Sequence, residues 1–236
     1  MLEQRSAGGV VALVAPSSWL RVAHGPRSTP AAQWAAHPGA VALLDGPMWG
    51  NRNVGGDTGR ALFFVRDRAA SVETVSQSAS EGVTLAVDAG EVVARRGASA
   101  PESAPVAVQG WPPLVWAGVA VATNVGSNAE RVQRAGLAVL RDGSLAFCAS
   151  RASDVARFAR DLVSLGALAA AYTDGGSSTY LGREGVALVS APSPVVFTWL
   201  RFEPPGASGG GDELGGLVLA GLMLGALGAA AKAAAR

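Results

Sequence analysis

Cysteine occurs only once in the 236 residues, so the chain can close no internal disulfide and offers no Cys/His zinc spacing. The lone thiol, Cys148, sits in the apolar run SLAFCAS and reads as a small buried hydrophobe. Histidine occurs twice, as His24 and His37, in different loops and without companion ligands, which points to loop or helix-end roles rather than a metal pair. Charge is scarce at 16% of residues and balanced, 19 basic against 18 acidic for a net +1. With no basic stripe, nucleic acid is not an expected partner. No lysine follows a glycine-rich loop as a P-loop requires, and no G-x-S-x-G elbow marks a serine hydrolase. The first apolar run meets Pro16 early, so no N-terminal export signal is recognised.

What is present is apolar and built from small residues. Hydrophobic residues reach 49%, ample for a real core. GGVVALVAPSSWLRVAHG reads as two short strands about a Pro-Ser-Ser turn. STPAAQWAAHPG reads as a helix capped by Ser28 or Thr29, with Pro30 in its first turn and an end before Pro38. AVALLD is then a strand buried on both faces. VTLAVDAGEVVA predicts a hairpin, as does RAGLAVLRDGSLAFCAS, whose Asp142-Gly143 favours a type I′ turn. SRASDVARFARDLVSLG predicts a helix capped by Ser153, apolar at Val155, Phe158, Leu162 and Leu165, and stopped by Gly166. VALVSA and VVFTWLRFE are closing strands.

The fold class is therefore α+β: a mixed, strand-rich sheet domain over residues 1–203 with a few helices packed on it. Residues 204–213 read as a flexible Gly/Pro linker and 214–236 as a hydrophobic Ala/Gly-rich tail helix. The tail is uncharged from Leu214 to Ala231, at the lower edge of a membrane-spanning length, and Gly221 and Gly225 suit close helix contact in lipid. Membrane association is one expectation for it; packing on the domain or on a partner protein is the other.

One internal echo bears on function. AAQWAAHPGAVALLDG and FARDLVSLGALAAAYTDGG share a plan of helix, glycine stop, small apolar strand and Asp-Gly, ending at Asp45 and Asp174. Neighbouring strands of this kind would bring the two carboxylates to one rim. After Asp174, Gly175 and Gly176 let backbone approach a ligand, and Ser177, Ser178 and Thr179 add hydroxyls and N–H donors suited to an anion. The same letters are also plain Asx-turn or helix-cap chemistry. Trp49, beside Asp45, could stack on a sugar ring; Trp111 and Trp116 could stack likewise or pack in the core.

QRAGLAVLRDGSLAFCAS, a helix, and then YTDGGSST resembles the core of the phosphodiester glycosidase family. STPAAQWAAHPGAVALLDGPMWGN and VQGWPPLVWAGVAV resemble further segments of it in the same order, so the likeness covers roughly residues 10–200. It implies a hydrolase that releases a sugar from a sugar-1-phosphodiester, with a sugar phosphodiester or glycan as partner. It further implies Asp174, Asp45 and Arg134 as catalytic residues, Arg134 as a fork on the phosphate, and Gly175, Gly176, Ser177, Ser178, Thr179 and Trp49 around the substrate. No cofactor is implied; a divalent cation shared by carboxylates and diester stays open. The sequence departs from the family pattern at Asp45, at GPMW and at Ala135, and one glycine of the second motif is missing. The alternative is therefore a catalytically degenerate carbohydrate-binding or structural protein, fixed to a membrane or assembly by its tail.

Overall fold

A computed structural model of the chain describes residues 1–47, 63–74, 82–97, 99–124 and 126–207. The chain opens with β1 (Glu3–Ala7), β2 (Val10–Ala15) and β3 (Leu20–Ser28), and α1 (Pro30–Ala36) then feeds β4 (Ala42–Asp45). Next come β5 (Val65–Asp67), β6 (Val72–Thr74), β7 (Val83–Asp88), β8 (Glu91–Arg96) and β9 (Val106–Gly110). The second half runs β10 (Pro113–Trp116), β11 (Val119–Ala120), β12 (Val132–Leu140), β13 (Leu145–Ser153), α2 (Val155–Ser164) and β14 (Ala167–Tyr172). It closes with β15 (Tyr180–Arg183), β16 (Val186–Ser190) and β17 (Val196–Phe202).

These strands form three antiparallel sheets. One has seven strands in the order β1-β2-β13-β12-β14-β10-β11; the others have five each, β16-β15-β4-β17-β3 and β6-β5-β9-β7-β8. Alternation along each strand sends one face inward. Leu13, Leu137 and Phe147 of the large sheet meet Leu44, Leu181 and Leu200 of the second and Val65, Leu85 and Val108 of the third in one shared core. Phe147 and Phe202 stack across it with ring centroids 3.7 Å apart. Each outer face is then covered separately. Helix α2 lays Val155, Phe158, Ala159 and Leu162 on the back of the large sheet, while Trp34 of α1 packs behind the second against Leu43, Tyr180 and Trp199. Burial of these side chains, each contributing about 1.5–3 kcal/mol, is what holds three short-stranded sheets together.

Local signals explain the helix ends. Thr29 caps α1 through its hydroxyl, which accepts from Ala32 N, and Pro30 occupies the first turn. The cap of α2 is Asp154, whose carboxylate accepts from Arg157 N at 2.8 Å; Ser153, expected in that role, is instead the buried last residue of β13. Gly166, at φ 93°, takes the left-handed conformation that stops the helix. The β12–β13 hairpin forms as expected, but its turn is not type I′. Only Gly143 has positive φ, and Leu140 and Ser144 close a three-residue loop, the bulge-type hairpin. Ala89 and Gly90, both at positive φ, do make the tight turn between β7 and β8. His24 lies within β3 rather than in a loop, with its Nδ1 3.2 Å from Thr198 Oγ1. Strand β1 was not foreseen: its polar sequence EQRSA is carried by pairing with β2 alone.

The expected tail helix, residues 214–236, lies outside the described residues. Among the described residues no helix is long and apolar enough to cross a membrane.

Candidate active site

The two Asp-Gly strands do not neighbour each other. β4 belongs to the second sheet, between β15 and β17, and β14 to the large sheet, between β12 and β10. Their ends meet by another route: after β14 the chain turns through Asp174 and a single 3-10 turn, Gly176–Ser178, then crosses as β15 to pair with β4. Tyr180, the first residue of β15, donates its N–H to Asp45 Oδ1 at 2.8 Å. That bond ties the second Asp-Gly segment to the first carboxylate.

Asp45 is placed by its strand. Every residue of β4 is buried, Leu44 toward the shared core and Leu43 toward α1. Gly46 ends the strand beside Thr198: a Cβ there would lie 2.7 Å from the Thr198 side chain and 2.8 Å from its carbonyl oxygen. Asp45 is fully buried, yet its Oδ2 has no hydrogen-bond partner. Burial and the nearby Asp174 charge push its pKa well above the ordinary aspartate value, against the pull of the Tyr180 amide and, more weakly, of the Asp45 and Asp174 amides. The contrast with Asp67 is instructive. That carboxylate is equally buried but accepts from the amides of Val22, Ala69 and Ala70, so both its oxygens are satisfied within the fold. Asp45 is half-satisfied, and a buried oxygen left without a partner costs about 1–3 kcal/mol unless something else uses it.

Asp174 stands at the mouth of this corner and is only partly exposed. Burial raises its pKa to about 6, while the Ser178 hydroxyl and the Gly175 amide draw it down. The two glycines that follow are required for different reasons. Gly175 lies against the Tyr172 phenol, so that a Cβ there would sit 1.8 Å from the hydroxyl oxygen; Gly176 has open space but φ of 61°. Internal bonding narrows the set of free donors expected here. Gly175 N is spent on Asp174 Oδ1, Ser178 N on Gly175 O and Thr179 N on Gly176 O. Ser177 is exposed at the tip, whereas Thr179 is buried with its hydroxyl unpartnered, as is Thr173.

Arg134 reaches the same corner from β12, but its guanidinium is turned to protein. It donates from Nε to Ser153 O, from Nη1 to Tyr172 Oη, and from Nη2 to the carbonyls of Ser127, Asn128 and Glu130. Tyr172, which the sequence reading did not single out, thus touches Arg134 on one side and Gly175 on the other. Burial and the charges of Asp174 and Asp45 push its phenol up to about 12, opposed by Arg134. Its one available signal was being the only aromatic side chain in ALAAAY, immediately before Thr-Asp. Trp49 lies outside the described residues. Trp111 and Trp116 are half-buried, and Trp116 lies under the Arg96 guanidinium, 5.2 Å from Cζ to ring centroid. Among the described residues no three His, Cys, Asp or Glu side chains are grouped to hold a metal ion.

Comparison with known proteins places this geometry in context. The chain resembles the catalytic domain of zebrafish N-acetylglucosamine-1-phosphodiester alpha-N-acetylglucosaminidase, auto-inhibited by its pro-peptide: TM-score 0.65, 10% identity, 86% of this chain and 82% of that one. A hypothetical protein from Synechocystis gives TM-score 0.59 and 15% identity over 86% of this chain, which spans 62% of that protein's length. A protein of Burkholderia pseudomallei K96243 gives 0.61 and 13%, covering 84% and 76%. At these identities the likeness is one of fold. No curated protein sequence matches the chain. The family described as phosphodiester glycosidase, however, matches residues 39–194, a span that includes both carboxylates, Arg134 and the whole glycine-rich turn. The chain belongs to the phosphodiester glycosidase family.

Proposed function

We propose that the corner holding Asp45 and Asp174 hydrolyses a glycosidic bond, releasing a sugar from a sugar-1-phosphodiester. The observation that carries this reading is Asp45: a fully buried carboxyl with one oxygen unpartnered, set beside a second carboxyl of raised pKa. Burial favours the protonated form of Asp45, while Asp174, raised only to about 6, favours the ionised form at neutral pH. Two carboxyl groups in different protonation states are the equipment for breaking a glycosidic bond. Asp45 donates toward the departing oxygen, and Asp174 faces the positive charge that develops at the anomeric carbon or activates the incoming water. A phosphate oxygen is a far weaker base than an alkoxide, so this leaving group asks little of the acid. More of the barrier falls to Asp174. Gly176 and the exposed Ser177 offer donors for the diester, Ser178 holds Asp174, Gly175 and Thr179 shape the turn, and Trp49 supplies the sugar face.

The test is turnover by the full-length chain on the methyl phosphodiester of α-N-acetylglucosamine 1-phosphate, chosen from the activity named for the zebrafish protein, and on counterparts with other sugars. Free sugar should appear; Asp174→Asn should cost about 10²–10⁴ in rate, and Asp45→Asn, whose proton this leaving group needs less, should cost less. A folded protein that turns over none of these diesters, yet still binds sugar, would instead be a binding scaffold.

A further inference from the structure

Arg134 and Tyr172 sit on adjacent strands, since Gly136, two residues beyond Arg134, pairs with Tyr172. Arg134 is only 5% exposed, and all three guanidinium nitrogens donate within the protein, one of them to the Tyr172 oxygen at 3.0 Å. The guanidinium carbon also lies 5.8 Å from the phenol ring centroid. Beyond the phenol comes the turn itself, with Gly175 so close that no side chain fits between them. We propose that Arg134 and Tyr172 form a positioning couple: the guanidinium fixes the phenol, and the phenol hydroxyl seats Gly175 and so aims the Asp174 carboxyl. Arg134 then acts on the reaction through Tyr172, not as a fork on the phosphate. The proposal rests on the hydrolase reading of the Asp174 corner.

The chemistry is consistent at each contact. Nη1–H donates into a lone pair of the phenol oxygen, which turns the phenol's own hydrogen away from Arg134. The groups that face the phenol are Arg134, Asp174 and Asp45, and with them it stays protonated throughout any working range. Gly175 N–H in turn bonds Asp174 Oδ1 at 2.9 Å, so the glycine's seat sets the carboxyl's place. Removing the hydroxyl opens about one atom's room beneath the turn. A misplacement of about 1 Å at a reacting group can cost about 10²-fold.

Two experiments on the full-length chain test it. In the first, Tyr172→Phe, Arg134→Gln and the double variant are assayed on two probes, the methyl sugar phosphodiester and the p-nitrophenyl glycoside of the same sugar, which has no phosphate. The couple predicts that kcat falls about 10- to 100-fold on both probes, that KM moves little, and that the double variant is scarcely worse than either single one. Loss confined to the diester with Arg134→Gln, or simple multiplication of the two losses, overturns it. The second needs no turnover. Gly175→Ala places a methyl 1.8 Å from the phenol oxygen; in the Tyr172→Phe background the next ring atom is 2.8 Å away. Gly175→Ala should therefore lower Tm more in the native background than in Tyr172→Phe, and equal losses refute the couple. If the chain hydrolyses neither probe, the functional reading fails while this thermal comparison still decides whether the phenol seats Gly175.

Discussion

Replacing Asp174 by asparagine should stabilise the protein at pH 8 and leave it unchanged near pH 4. Its folded pKa, about 6, exceeds the unfolded value of about 3.9. Between those two values the native state binds more protons than the unfolded chain, so stability is fully present at low pH and is lost as pH rises to about 6. The span of about two units corresponds to about 3 kcal/mol. Asp174 is partly exposed, and screening brings the expected figure down to about 1–3 kcal/mol. Asparagine keeps an acceptor for Gly175 N and carries no charge to desolvate. In a domain of this size each kcal/mol moves Tm by about 2–4 °C, giving a gain of about 2–12 °C at pH 8. The assay is thermal unfolding followed by circular dichroism at pH 4, 6 and 8. A variant less stable than the native chain at pH 8, or one offset equally at all three values, refutes the reasoning. The gain should accompany the loss of turnover, since an active site keeps such a group at the expense of stability.

Asp67→Ala should cost about 3 kcal/mol or more in thermal unfolding without altering turnover per folded molecule, because it strands the buried Val22 amide and frees those of Ala69 and Ala70. Asp154→Ala should cost about 1 kcal/mol by removing the α2 cap, with the lost helical signal visible by hydrogen exchange across residues 155–158. Cys148, wholly buried and with its thiol pKa pushed up by burial, should resist a thiol reagent until the chain unfolds; rapid labelling under native conditions would place it elsewhere.

Strands, one helix start and one helix stop were legible where one physical cause dominates. Pro30 after Thr29, and Gly166 after Leu165, are punctuation that tertiary packing did not override. The turn at Asp142-Gly143 was legible as a turn but not in its type, because Arg141 was also drawn into the loop and only Gly143 went left-handed. Asp45 and Asp174 could be read as a pair from the echo of two segments, while the way they meet could not. The echo suggested neighbouring strands; the fold joins different sheets through β15 and the Tyr180 amide, a long-range contact with no local sequence signal. Tyr172 was invisible for a similar reason. A tyrosine ending an alanine strand looks like core, and its role depends on Arg134 across the ladder and on the turn folding back over it.

The most direct test of the account is the pH dependence of kcat/KM on a sugar-1-phosphodiester, for the native chain and for Asp174→Asn. The account predicts release of free sugar with an acidic limb near pH 6, set by Asp174, that disappears in the variant along with most of the rate. Turnover that persists in Asp174→Asn with the same limb would contradict it.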